Sequence, residues 1–385
     1  MRRADRRAGG IGDSEVTQSD ADKSIVTRLE SIVYGERRDV AAKIARGILL
    51  VLSMVYRLVI WSYLLPFRIG IRRAKKLDKP VISVGNITVG GTGKTPTVEY
   101  ICRGLNSRKW KPGVLSYGYG GSLSGRLGIV SDGERLLMSP LRSGDEPAML
   151  ASAMPGVTVL VGKDRFESGQ IAIRDFGADV LVLDDGFQVW KLHRDLDIVL
   201  INANNLFDNG RTLPAGKLRE PVGALRRADC VLITGDCEPE VSEKAISEVH
   251  RIARQAEVFV GTFKPAGAHK LIGNSTFELS AFRNKKVLAL SSIGNPAAFA
   301  ATLESLGAVL VAKESFPDHH SYSAADIRHI NRQASDTICD LIVTTEKDAV
   351  KLNAGQFFQP VIVLRIELRL NDQSEFWEFV EKRLG

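Results

Sequence analysis

The stretch Val81 to Tyr100, VISVGNITVGGTGKTPTVEY, runs an apolar strand into a glycine-rich turn, then Lys94 and Thr95, then a helix-compatible segment. Such a turn restricts the folds available, because a strand must deliver it and a helix must leave it. Gly90, Gly91 and Gly93 let the backbone curl so that successive N–H groups face one anion. The segment Thr88, Val89, Gly90, Gly91, Thr92, Gly93, Lys94, Thr95 is thus expected to cradle the phosphates of ATP or GTP. Lys94 is placed to reach the β- and γ-phosphates, and Thr95 to bind Mg²⁺ through its hydroxyl. The usual spacing, G-x-x-x-x-G-K-[ST], wants glycine where this chain has Thr88, so spacing alone is an incomplete match. A glycine-rich connection without a ligand is the alternative, and Gly-Lys-Thr directly after a buried-type strand argues against it.

From Pro80 onward, β-rich runs alternate with helix-compatible segments: VISVG, GVLSYG, VTVLVG, DVLVLDD, LDIVLIN, DCVLIT and EVFVG. The rhythm weakens through KPAGAHKLIGNSTFELSAF and resumes with KVLALSSIGNP, GAVLVAKESF, DLIVTTEKDA and PVIVLRI. This predicts an α/β fold of the P-loop NTPase type, a largely parallel sheet with helices on both faces, followed by a smaller C-terminal α/β unit. The expected divisions are an extension over 1–38, a membrane-associated helix with basic flanks over 39–79, a P-loop domain over 80–262, a linker over 263–283 and a C-terminal subdomain over 284–385.

The formal charge of +7 is concentrated at the N-terminus, where the first 80 residues hold 17 Lys and Arg against 9 Asp and Glu. A nucleic-acid binder carries its basic surface on the folded domain, so the distribution points to a membrane instead. Gly47 to Phe67, GILLVLSMVYRLVIWSYLLPF, is 21 residues long with Arg57 as its single charge. A bilayer span needs ~20 apolar residues, but a central arginine costs roughly 2.5 to 3.5 kcal/mol on insertion scales, which disfavours a simple span. Arg46, Ser53, Arg57 and Arg68 fall on one narrow helical stripe suited to anionic headgroups, and residues 37–79 hold 11 basic against 2 acidic side chains. A buried helix of the soluble domain is the competing reading. Cys102, Cys230, Cys237 and Cys339 form no C-x-x-C pair, and reduced thiols fit best.

The run VLVLDD ends a buried-type strand in two carboxylates, where P-loop proteins hold a second Mg²⁺ ligand, so Asp184 is the expected metal ligand. Asp185 either supports it or orients a substrate, and Gly186-Phe187-Gln188 turns the chain away. Ser143-Gly144-Asp145-Glu146-Pro147 reads locally as a helix N-cap. Leu213 to Pro221, LPAGKLREP, is an ordered loop whose charged pair clamps a phosphate or braces itself. Phe316-Pro317-Asp318-His319-His320 sets an aspartate beside imidazoles, a pairing suited to proton transfer.

Together these segments resemble the tetraacyldisaccharide 4′-kinase family, the lipid A kinases of Gram-negative bacteria. The resemblance runs through VGNITVGGTGKTP, SYGYGG, GDEP, VGKDR, LVLDDGFQ, RDLDIVLIN, LPAGKLREP, IGNP, FPDHHSY and VTTEKDAVKL. The family pattern also accommodates Thr88. It implies transfer of the ATP γ-phosphoryl group to the 4′-hydroxyl of a tetraacylated glucosamine disaccharide 1-phosphate, at the cytoplasmic face of the inner membrane. It further implies that Lys94 and Thr95 serve ATP and Mg²⁺, and that Asp184, Asp185 and Glu220 lie near the metal and phosphates. Asp145 would take the proton from the sugar hydroxyl with His319 as its partner, while Glu146, Arg219 and Gln188 contact substrate or support the site. Anionic membrane lipids are expected partners, and no protein partner is called for. Where many members have histidine after DDGFQ this chain has Val189, with His193 four positions later. Against a guanine-specific GTPase, Thr345-Glu346-Lys347-Asp348 does not fit [NT]-K-x-D. A membrane-tethered regulator without transfer activity is the alternative from another class.

Overall fold

Every residue of β1 (Val81–Asn86) is buried, because parallel neighbours flank it, the helix Lys94–Ser107 packs on it, and the Gly186-Phe187 turn closes against Ser83 and Gly85. In the computed structural model, which describes residues 31, 33–34, 39–235, 238–273 and 275–385, this strand is central to one sheet. The 1–38 extension lies almost wholly outside the described residues, as does Cys237.

Beside β1 stand β5 (Val180–Asp184) and β6 (Leu196–Asn202), both parallel to it. Beyond β5 come β2 (Pro112–Ser116), β4 (Thr158–Val161) and the antiparallel edge strand β3 (Gly128–Asp132). Beyond β6 come β7 (Cys230–Thr234) and β8 (Glu257–Lys270), which carries the two-residue β9 (Thr276–Phe277). The expected runs form these strands, and only β3 and β9 lack a run of their own in the sequence reading.

The expected linker at 263–283 differs from the structure. Strand β8 continues through Lys270 and pairs antiparallel with β13 (Val361–Leu370) over Gly261 to Lys270. That ribbon joins the first half of the sheet to β12 (Leu341–Thr345), β10 (Lys286–Ser291) and β11 (Val309–Ser315), giving one 13-stranded sheet. The sequence rhythm falters because this part of the strand has no continuous apolar face: of residues 262–270 only Ala268 is buried, and the rest are half-buried or exposed.

Two regions of core stand either side of that ribbon. One packs Leu288, Leu290, Ile330 and Ile342 in the C-terminal unit, and the larger packs Val84, Val98, Leu105 and Val182 around β1. The final helix, Gln373–Leu384, crosses back into the larger core through Phe376, Trp377 and Val380. The boundary expected for 284–385 therefore fails at its far end, where the chain returns to the first unit.

Helix α1 (Val40–Arg68) lies along the body by one face only. Its buried residues, Ala42, Ser53 and Leu64, recur every three turns, while Val51, Met54, Leu58, Val59 and Trp61 are exposed. The Arg46–Ser53–Arg57–Arg68 stripe is not a single headgroup face. Ser53 is buried and donates to the Thr212 carbonyl at 2.9 Å, while Arg57 and Arg68 remain exposed.

Candidate active site

Helix α2 (Lys94–Ser107) starts directly after Gly93, which takes a left-handed conformation at φ 83°. Only a residue without Cβ fits there, since a Cβ would come 2.1 Å from the Phe263 ring of β8. Asn86 donates to Thr92 Oγ1 at 2.8 Å and Thr97 Oγ1 donates to the Gly93 carbonyl at 2.8 Å, fixing both ends of the turn. The cradle is also clipped to the 211–220 loop: Val89 N–H donates to Lys217 O at 2.7 Å and Arg219 N–H to Ile87 O at 2.8 Å. The charged pair Arg219-Glu220 thus arrives beside the phosphate turn by backbone pairing.

Parallel pairing of Val84 with Asp184 brings the end of β5 to the cradle. Asp184 is 2% exposed, accepts from Ser116 Oγ at 3.0 Å, and leaves Oδ1 buried without a hydrogen-bond partner. Burial, with the Glu146 and Asp185 carboxylates adding to it, pushes its pKa up to about 7. Asp185 has the opposite environment. Burial works against its charge, but Lys94 at 3.8 Å and Arg219, whose Nη1 donates to both carboxylate oxygens at 2.9 and 2.7 Å, outweigh that and lower its pKa. Glu220, 3% exposed, spends both oxygens on Arg227 at 2.9 and 3.0 Å and accepts from Gln188 at 3.1 Å.

The C-terminal unit supplies the facing wall. Gly294 lies against Gly91, where a Cβ would come 3.0 Å from the Gly91 nitrogen. Behind it, Asp145 Oδ2 sits 3.6 Å from His319 Nδ1 and 3.7 Å from Lys351 Nζ. Asp145 opens helix α3 (Asp145–Ala153), yet its side chain caps nothing, so the N-cap reading of GDEP does not hold. Gly144 makes that placement possible: a Cβ there would come 2.4 Å from the Tyr119 carbonyl of the SYGYGG turn. Lys347 bridges the two units, with Nζ 3.3 Å from Glu146 and 2.9 Å from Asp318.

A family model described as LpxK, tetraacyldisaccharide-1-P 4′-kinase, matches residues 45–385. The chain belongs to that family. Tetraacyldisaccharide 4′-kinases similar to it include those of Syntrophus aciditrophicus, 43% identical over 80% of this chain and 85% of the relative, and Geobacter sulfurreducens, 38% identical over 92% and 98%. Among solved structures, LpxK from Aquifex aeolicus in complex with ATP is 30% identical, with a TM-score of 0.71 over 89% of this chain and all of the other. Membership makes the chain a kinase acting on a lipid A precursor and sets aside the regulator without transfer activity.

Within this tetraacyldisaccharide 4′-kinase fold, the structure gathers Lys94, Asp184, Asp185, Arg219, Glu220 and Gln188 on one side and Asp145, Glu146 and His319 on the other. Thr95 stands in the first turn of α2, directly after Lys94. Glu220 and Asp185, expected near the metal, are held by guanidinium groups, which leaves Asp184 with the free buried oxygen. His193 is not near the site: it pairs with Asp195 at 3.6 Å, whose other oxygen receives the Val81 N–H at the opposite end of β1. Val189 packs partly buried against the apolar cluster of Leu181 and Leu192.

Four supporting residues escaped the sequence reading. Arg165, in the quoted VGKDR, is 5% exposed, and although burial draws its pKa down to about 10, Asp184 and Asp185 help keep it charged. Arg227 holds Glu220 while lying over the Phe187 and Trp190 rings at 4.3 Å. Tyr56 of α1 donates to the Arg219 carbonyl at 3.0 Å, and Lys347 joins Asp318 to Glu146. Arg165 and Lys347 were visible as motif members, but no local pattern gave their partners.

Proposed function

We propose that the chain moves the γ-phosphoryl group of ATP to the 4′-hydroxyl of the acylated disaccharide 1-phosphate, with Mg²⁺, at the cytoplasmic face of the inner membrane. The observation that carries this reading is the 211–220 loop, bonded on one side to the phosphate cradle and on the other to the apolar helix through Ser53 and Tyr56. The exposed apolar face of α1 seats in lipid, and its basic collar meets anionic headgroups. A lipid-borne sugar then reaches the nucleotide without leaving the membrane surface.

The residues present fit a divalent cation, judged by the orphaned Asp184 Oδ1 beside the start of α2. Thr95 and Asp184 would hold it, and when bound it would offset charge on the β- and γ-phosphates. Lys94 screens the transferring group, and Arg219 with Asp185 keeps Lys94 aimed. Asp145 takes the proton from the 4′-hydroxyl, with His319 orienting its carboxylate. Three-way holding of Glu220 by Arg227 and Gln188 fixes the loop that carries Arg219.

The test incubates the full-length protein in detergent micelles with Mg-ATP and the acylated disaccharide 1-phosphate. Wild type should yield the 1,4′-bisphosphorylated lipid, and Asp145→Ala and His319→Ala should each lose about 10²- to 10⁴-fold in kcat. Wild-type protein that makes no bisphosphorylated product refutes the reading. Full activity in both variants removes the proton-transfer roles.

A further inference from the structure

We propose that Lys347 fixes the tautomer of His319, holding the ring proton on Nδ1, where it faces Asp145. Lys347 precedes Asp348 in the short helix Glu346–Ala349, and its Nζ lies 3.3 Å from His319 Nε2. An ammonium group has three hydrogens and no lone pair, so it can only donate. Its three partners are Asp318 Oδ1, Glu146 Oε1 and His319 Nε2, one for each hydrogen. Nε2 must then be the accepting nitrogen, and a neutral imidazole that accepts at Nε2 carries its proton at Nδ1.

Nδ1 is a buried atom with no hydrogen-bond partner in this geometry, 3.6 Å from Asp145 Oδ2. A closure of a few tenths of an ångström converts that approach into a donated hydrogen bond, the usual tightening of a catalytic contact when substrate binds. His319 is itself held in a positive φ of 61°, with its N–H donating to Asp318 Oδ1 at 3.1 Å.

Lys347 keeps all three of its hydrogens for this role. Burial works against the ammonium, but Glu146 and Asp318 more than offset it and raise its pKa above the ordinary value. The groups facing His319 are Asp145, Asp318, Lys347 and the edge-on Tyr119 ring, with Glu146 behind Lys347 and Lys351 behind Asp145. Lys347 is thus a positioning residue: it keeps the Nδ1 donor of His319 aimed at the carboxylate that receives the sugar proton. The inference rests on the proposed roles of Asp145 and His319, but its first readout is independent of turnover.

The experiment records ¹H–¹⁵N spectra of the full-length, histidine-labelled protein in detergent at pH 7.5, with the His319→Gln variant identifying the resonance. The expected wild-type signature is protonated Nδ1 and unprotonated Nε2. Lys347→Met should lose that signature, while Lys347→Arg, which keeps a donor, retains the tautomer. A wild-type ring protonated at Nε2 overturns the proposal, and this decides it even if Lys347→Met does not fold. So does a folded Lys347→Met protein with an unmoved tautomer, since a merely structural lysine would lower kcat without shifting it. Retention of activity in Asp145→Ala and His319→Ala would instead remove the catalytic reading and leave the tautomer result standing.

Discussion

Trp377→Ala tests whether the last helix belongs to the nucleotide-binding unit. Trp377 is 2% exposed, with ring centroids 5.8 Å from Tyr100 and 5.4 Å from Phe376, and Nε1 donating to the Tyr100 hydroxyl at 3.2 Å. Tyr100 and Gly104 both belong to α2, and a Cβ on Gly104 would come 1.8 Å from the indole, so the ring fills the space that glycine leaves. Truncating a buried tryptophan costs about 3–5 kcal/mol through lost transfer energy and the cavity left behind. Aromatic pairs add about 0.5–1.5 kcal/mol beyond area, and the Arg108 guanidinium 4.2 Å over the ring adds a smaller cation–π loss. Against a total stability of about 5–15 kcal/mol, the change removes about a fifth or more. With a urea slope of about 3 kcal/mol per molar, the midpoint followed by far-UV circular dichroism should fall by about 1 M or more. Because the ring packs on α2, ATP binding should weaken along with the unfolding transition. A midpoint within about 0.3 M of wild type, or loss of C-terminal structure with unchanged ATP affinity, would refute the packing argument.

Tyr56→Phe removes the hydroxyl that supports the Arg219 carbonyl, at a cost of about 0.5–1.5 kcal/mol; kcat/KM in micelles should fall several-fold while sedimentation with liposomes stays unchanged. Equal activity in the variant would show that the helix anchors without positioning the loop. Asp184 has a folded pKa raised to about 7, so its contribution to stability is present below the unfolded carboxylate value and is lost as pH rises through 7. Mg²⁺ needs the ionised carboxylate, so Mg-ATP affinity by calorimetry should strengthen between about pH 6 and 8, and Asp184→Asn should flatten the dependence. A wild-type affinity that does not change with pH in that range contradicts the assignment.

Much of the fold was legible because local signals agreed. The apolar runs that end at Asn86, Asp184 and Thr345 are strands at those places, and Gly93 marks the left-handed turn into α2. Two signals misled. The weak pattern over 263–270 concealed a ribbon whose hydrogen bonds are made by backbone, which carries no side-chain periodicity. The polar stripe of α1 suggested headgroups, whereas Ser53 meets Thr212, 159 positions away. Asp145 looked like a cap because GDEP resembles one locally, and only the folded chain shows its carboxylate reaching across to His319 and Lys351.

The sequence by itself determined the phosphate cradle, the alternating strands and helices and the apolar N-terminal helix, since each is written in contiguous residues through spacing or periodicity. Tertiary structure decided which charges meet. Lys94 pairs with Asp185, Glu220 with Arg227, and Lys347 stands between Glu146 and Asp318 because sheet register and backbone clips bring distant segments together. Burial then sets their chemistry: adjacent Asp184 and Asp185 titrate in opposite directions because one leaves a buried oxygen unpaired and the other faces two cations. No spacing rule contains that difference, which depends on the dielectric and on partners that only a folded chain supplies.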